Sequence, residues 1–413
     1  MNKTLFMEKY NTIDFNKYTN YFFIAFAFSI PVSKALISLF MALMLITWLL
    51  EGNFKEKFNI IRHDTLSLVF LGLISFSTLA ILWSPDTAFA VDFVFRKYWH
   101  FLMIPIMLTS FKMKYVKYVF NAFLLSMLIS EIISYGIIFH LWTFKDASPQ
   151  FPTPFMHHVD YSIHLAFALM ILITKWFNET QLKWKIFYGG YFLTSLVNLF
   201  LNGGRTGQVA FLFTLLLISI VFFRKSYKLV VAAVITTILT ITLAYNFSPN
   251  FNSRVHQAYT DISATYTEHN FNGSFAARIA MWVVGVNTFI DHPITGTGIG
   301  AEMKDIPKYS NEYNFDVKHL SRFTDYHNTF VHYSVQLGIV GLILSISVFI
   351  SLFRMKIRTR DYQILGFAFT TLFLLDSMQG FTFHILHPLV FLCTFAALFN
   401  AIAYKERNLN QPT

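Results

Sequence analysis

Apolar residues in this chain come in long unbroken runs, and the polar positions between them are short. Scanning for runs of the length needed to cross a bilayer as a helix, about 20 residues, finds twelve, with approximate cores at 20–32, 33–50, 65–83, 93–110, 118–141, 160–176, 186–202, 207–223, 228–246, 327–353, 362–380 and 384–403. The first is short and ends near Pro31, and the fourth opens on Arg96 and Lys97, so its start reads as an interfacial helix. One stretch breaks the rhythm. Residues 247–326 are far more polar than the rest, yet carry an apolar run at 279–290, Trp282 and several Gly and Pro turns, which predicts an ordered, partly helical loop. The pattern therefore predicts an all-α polytopic membrane protein of about 12 transmembrane helices. It divides into spans 1–9 (residues 1–246), a large loop (247–326), and spans 10–12 with a tail (327–413).

Composition agrees. The 413 residues are 55% hydrophobic and 13% charged, with 49 phenylalanines and a mean hydropathy of +0.50. A soluble domain carries about twice that fraction of charge. The net charge of +10 does not point to nucleic acid, because the basic residues sit in small groups at the ends of apolar runs. No sequence repeat, heptad pattern or low-complexity tract is present. Cys393 is the single cysteine, so neither a disulfide within the chain nor a thiolate metal site is available. Glu8, Asp14 and the lack of a small-residue cleavage site predict an uncleaved first span.

The placement of the basic groups orients the chain. With the N-terminus in the cytoplasm, every inner connection is basic: Lys3, Lys9 and Lys17, then Lys55, Lys57 and Arg62, then Lys112, Lys114 and Lys117, then Lys175, Lys183 and Lys185. The series continues with Arg224, Lys225 and Lys228, with Arg354, Lys356, Arg358 and Arg360, and with Lys405 and Arg407. That is 21 of the 32 lysines and arginines on one side. Both termini are then cytoplasmic, and the 247–326 loop is extracytoplasmic.

Charged and polar groups at the outer edge are functional candidates, because burying them near lipid is costly. The turn NGGRTGQ at 202–208 places Arg205 at the start of a span, where a guanidinium and a helix N-terminus together suit a phosphate or oxyanion. Gly204 and Gly207 in this turn would let the backbone approach a ligand; the bland alternative is a snorkelling arginine in a tight turn. In FAARIAMW at 275–282, Arg278 and Trp282 are four apart and share a helix face. In DYHNTF at 325–330, His327 is a candidate general base, with Asp325 to orient it and Asn328 beside it. HHVDYSIH at 157–164 offers His157, His158, Asp160 and His164. It lacks a zinc spacing, so we read no metal there and take the cluster, His158 and Tyr161 included, as substrate-facing polar groups or as plain interface. GTGIGA at 296–301 lacks a surrounding βαβ unit and reads as a turn, not a dinucleotide site.

Taken in order, these elements resemble the O-antigen ligase/polymerase superfamily. The elements are an Arg in a Gly-containing turn opening one span, R-x-x-x-W followed by DHPITGTGIG, and HNTFVHYSVQLGIVGL opening the next. The likeness covers roughly 200–345, and the turn reads GGRTG where many members carry a serine before the arginine. The resemblance implies a GT-C-like glycosyltransferase without metal or other cofactor, in the bacterial inner membrane. It would move a glycan from undecaprenyl diphosphate to lipid A-core oligosaccharide at the periplasmic face, with inversion. Arg205 and Arg278 would hold the donor diphosphate, and His327 would be the base; the orienting role of Asp325 is our own reading. Two alternatives remain open: an O-antigen polymerase using the same donor, and a 12-span transporter or flippase. The partners implied are the lipid-linked glycan, the lipid A-core acceptor and membrane lipids, with no nucleic acid.

Overall fold

The computed structural model describes residues 13–145 and 147–408, so Lys3, Lys9 and Glu8 lie outside the described residues. Each of the twelve predicted apolar runs coincides with a helix. In chain order the first half comprises α1 (Phe15–Ser29), α2 (Lys34–Glu51), a short α3 (Phe54–Ile61), α4 (Thr65–Ala80), α5 (Thr87–Phe93), α6 (Met103–Ser110), α7 (Val116–Ile138), α8 (His158–Asn178) and α9 (Leu182–Leu201). The second half comprises α10 (Arg205–Phe223), α11 (Tyr227–Phe247), α12 (Pro249–Glu268), α13 (Ser274–Asp291), two short helices α14 (Ile306–Glu312) and α15 (Val317–Leu320), then α16 (Thr329–Phe353), α17 (Arg360–Ser377) and α18 (Leu386–Asn408). Eight helices are long and apolar enough to cross a membrane. Together with the absence of β-strands among the described residues, they make this a polytopic helical membrane protein.

Burial separates the helices by position. α18 is buried over 94% of its most apolar window, whereas α11 is buried over 11%. A helix apolar all round and enclosed by protein belongs at the centre, and one apolar all round and bare belongs against lipid. Phenylalanine fills the centre: Phe391, Phe395 and Phe399 of α18 meet Phe120, Phe123, Phe167 and Phe369 at ring-centroid distances of 4.7–6.1 Å. Such aromatic pairs add to area burial by about 0.5–1.5 kcal/mol each. The fourth run, whose start reads in the sequence as an interfacial helix, is a broken helix. It passes from α5 through a π-turn at Val94–Tyr98 and a 3-10 turn at Trp99–Leu102 into α6.

The 247–326 segment is partly helical, as its pattern predicts, and its turn region 292–302 is built into the bundle. α16 is interrupted at Gly338, whose φ of 65° and ψ of −155° are not helical. The GTGIGA turn fills the break. Thr297 N donates to Val335 O at 2.8 Å, Gly298 N to Gln336 O at 3.1 Å, and Ile339 N to Pro293 O at 2.8 Å. The turn also reaches the residues just after α4: Trp83 Nε1 donates to Thr295 O at 3.1 Å, and Ile299 N to Ser84 Oγ at 3.0 Å. Backbone freed inside a membrane protein must find partners this way.

A Cβ on Gly338 would stand 2.3 Å from Ile294 O, on a backbone that is essentially restricted to glycine and costs other residues about 1–3 kcal/mol. Gly338→Ala is expected to destabilise the protein by at least about 2 kcal/mol. A clear drop in thermal unfolding temperature in detergent would register this; an unchanged midpoint would mean that the loop does not lock α16.

Candidate functional site

The turn between α9 and α10 is held from three directions. Asn202 Nδ2 donates to His158 O at 3.2 Å, Gly207 N to Ser162 Oγ at 3.1 Å, and Gln208 Nε2 to Leu199 O and Asn202 O at 3.0 and 2.9 Å. A Cβ on Gly204 would lie 2.5 Å from His158 O, and one on Gly207 2.3 Å from Ser162 O. The close approach these glycines allow is thus to α8, where the sequence reading had expected a ligand. Their packing presents Arg205 at the first turn of α10, half-buried, with Nη2 donating to Ser274 Oγ of α13 at 3.1 Å. Its neighbour Thr206 donates to Gln379 Oε1 at 3.0 Å, joining the turn to the end of α17.

Arg278 lies one turn into α13, half-buried. Burial pulls its guanidinium below its ordinary pKa and Asp325 pushes it back, but a guanidinium stays charged. Trp282, one turn on, keeps a buried indole N–H without a hydrogen-bond partner among the described residues. Arg205 sits between the charges of Arg278 and of Arg254 on α12, with Asp261 as the attractive neighbour. Among the described residues, none of these three arginines is in an ion pair. Arg254 was not singled out by motif reading; the signal available was its presence among the few basic residues assigned to the outer side.

His327 stands at φ 48° immediately before α16. Its own N–H donates to Asp325 Oδ1 at 2.7 Å, and its ring Nδ1 lies 3.3 Å from the same oxygen. Phe323 packs edge-on against the ring at 5.0 Å. A carboxylate at Nδ1 favours the tautomer that leaves Nε2 unprotonated. Burial lowers the imidazole pKa below its ordinary 6.5, opposed by Asp325 and reinforced by Arg278. Arg205, Arg278, Asp325 and His327 are therefore linked through Ser274 and through their charges.

The remaining predicted residues have other tasks. Asn328 caps α16, its Oδ1 accepting from Phe330 N and Val331 N at 2.9 and 3.1 Å. Tyr161 is fully buried in the packed interior. His158 packs against Phe151 with tilted rings at 4.5 Å, within the field of Arg254 and Arg205. The 157–164 cluster does not converge: His164 Nδ1 is bonded to Asp160 O at 2.7 Å, and its ring packs 4.2 Å from Phe391. Among the described residues, no group of three His, Cys, Asp or Glu is arranged to hold a metal ion.

A family model described as O-antigen ligase matches residues 190–346. The chain carries an O-antigen ligase family domain. The matched segment runs from α9 to the middle of α16 and contains Arg205, Arg254, Arg278 and His327. The family comprises glycosyltransferase-like ligases and polymerases, and the match supports membership of that superfamily and an enzymatic role. No curated protein matches the chain.

The charges around His327 give a direct test. In a pH titration followed by NMR, its imidazole is expected to titrate below 6.5. Asp325→Asn removes the charge that holds the pKa up, so the midpoint should move further down. A midpoint above 6.5, or an upward shift in the variant, would contradict this electrostatic arrangement.

Proposed function

We propose that the protein is an O-antigen ligase, transferring a glycan from undecaprenyl diphosphate to lipid A-core oligosaccharide. The observation that carries this reading is a carboxylate-backed histidine beside guanidiniums without ion-pair partners among the described residues, all within the family-matched segment. In this reading the twelve helical runs all cross the bacterial inner membrane in a GT-C-like arrangement. Both termini are cytoplasmic, and the 247–326 loop with the active face is periplasmic, as the distribution of Lys and Arg supports.

Each group has a defined step. His327 Nε2 takes the proton from an acceptor hydroxyl as its oxygen attacks the anomeric carbon. The bond from that carbon to the phosphate oxygen breaks on the opposite side, which inverts the configuration. Negative charge then grows on the departing diphosphate. Arg205 and Arg278 stabilise it by charge-assisted hydrogen bonds, and Asp325 holds the imidazole and supports its protonated form.

Purified protein with lipid-linked glycan and lipid A-core tests the assignment. Arg205→Ala and Arg278→Ala should each lower kcat by about 10²–10³-fold, and His327→Ala by about 10²–10⁴-fold. Full activity in all three would sink it. The wild-type kcat/KM should stay level through neutral pH and fall on the acid side, below 6.5, because the base must be neutral. In cells, a deletion strain should accumulate long glycan on the lipid carrier; lipopolysaccharide bearing a single repeat unit would instead identify a polymerase.

A further inference from the structure

An open cleft of about 290 Å³ lies between the first turns of α12 and the tight turn at 148–151. Its walls are Gln150, Phe151, Asn250, Ser253, Arg254 and Gln257, and Gly203 forms its inner edge. Gly203 is two residues from Arg205, which places the cleft within about 7 Å of backbone from that residue. None of the cleft's polar side chains belongs to the chemistry assigned above.

The lining indicates what the cleft holds. A phosphate locus would be built from several cations and backbone N–H groups, and a lipid-tail groove from apolar side chains. Here one guanidinium stands among four uncharged polar side chains, with Phe151 as the apolar wall. Arg254 is fixed in place, Nη1 donating to Gln257 Oε1 at 2.8 Å and its guanidinium lying 5.7 Å over the Phe151 ring. Asn250 Nδ2 donates to Leu201 O at 2.9 Å, which leaves its Oδ1 as an acceptor. The Gln150 side-chain amide and Gln257 Nε2 have no hydrogen-bond partner among the described residues. Amides pair donors with acceptors on one plane, which suits neighbouring hydroxyls that both donate and accept.

We propose that this cleft is a saccharide subsite, holding a sugar of the lipid-linked donor beyond the one bonded to the diphosphate. It rests on the reading of Arg205 as a diphosphate contact: a glycan leaving that point has the cleft within reach.

The test compares two donors with purified full-length protein, one with a single sugar on prenyl diphosphate and one with a whole repeating oligosaccharide. The measured quantity is the ratio of their KM values. Gln150→Ala combined with Gln257→Ala should raise KM for the oligosaccharide about tenfold relative to the single-sugar donor. Ser253→Trp, which fills the cleft from an exposed position, should raise the ratio further. Equal changes for both donors, or an unchanged ratio in all variants, would overturn the subsite while leaving the ligase reading intact. Transfer of neither donor by the wild-type protein would overturn the functional reading and the subsite with it. Single-sugar transfer by the variants serves as their folding control.

Discussion

The break in α16 at Gly338 is tolerable only because the 293–298 turn supplies the hydrogen bonds that the helix gives up. Inside a membrane protein an unpaired backbone group costs several kcal/mol, so turn and helix constrain each other. That contact fixes much else. It ties the end of α13, which carries Arg278, to the helix that begins just after His327. It also brings Ser84 and Trp83 of the first half against the loop. The positive φ angles of Gly296, Gly298 and Gly300 let the chain turn tightly enough to enter the bundle. A motif that looks like a cofactor fingerprint is here a structural clasp.

Beside the clasp, the charges differ from those of paired sites such as Lys57 with Glu51 at 2.9 Å, or Asp64 accepting from Asn400 at 2.7 Å. Arg205 is repelled by Arg254 and Arg278 and attracted by Asp261, and Arg278 has Asp325 as its opposing charge. Holding like charges together without partners costs stability, and an anionic ligand of two charges would remove much of that cost. Burial, reinforced by Arg278, lowers the His327 pKa, which keeps the imidazole neutral and able to accept a proton.

Several candidate residues turned out to serve the fold at the edge of the site. Gly204 and Gly207 bring α10 against α8, and this contact sets where Arg205 emerges. Asn328 caps α16, and the residue before it, His327, takes a left-handed backbone conformation. These residues shape the site by placing others, and a motif cannot distinguish that task from direct contact with a ligand. Arg254 presents the opposite case. It belongs to no motif and reaches the site only because α12 folds back over the α9–α10 turn.

The sequence by itself determined the helical runs, the polar loop and the two-sided distribution of basic residues. Those properties follow from transfer of each segment between water and lipid, which depends on composition and needs no knowledge of neighbours. It also determined the order of Arg205, Arg278 and His327, because each stands beside a turn or helix start with a local signature. Only the tertiary structure decided that α5 and α6 are parts of one broken helix, that α18 is central and α11 peripheral, and that GTGIGA enters α16. It alone placed Asp325 against His327 Nδ1 and made a polar cleft from residues about 100 apart in the chain, Gln150 and Asn250. Such contacts depend on which surfaces meet after the helices have formed, and no local pattern encodes that choice.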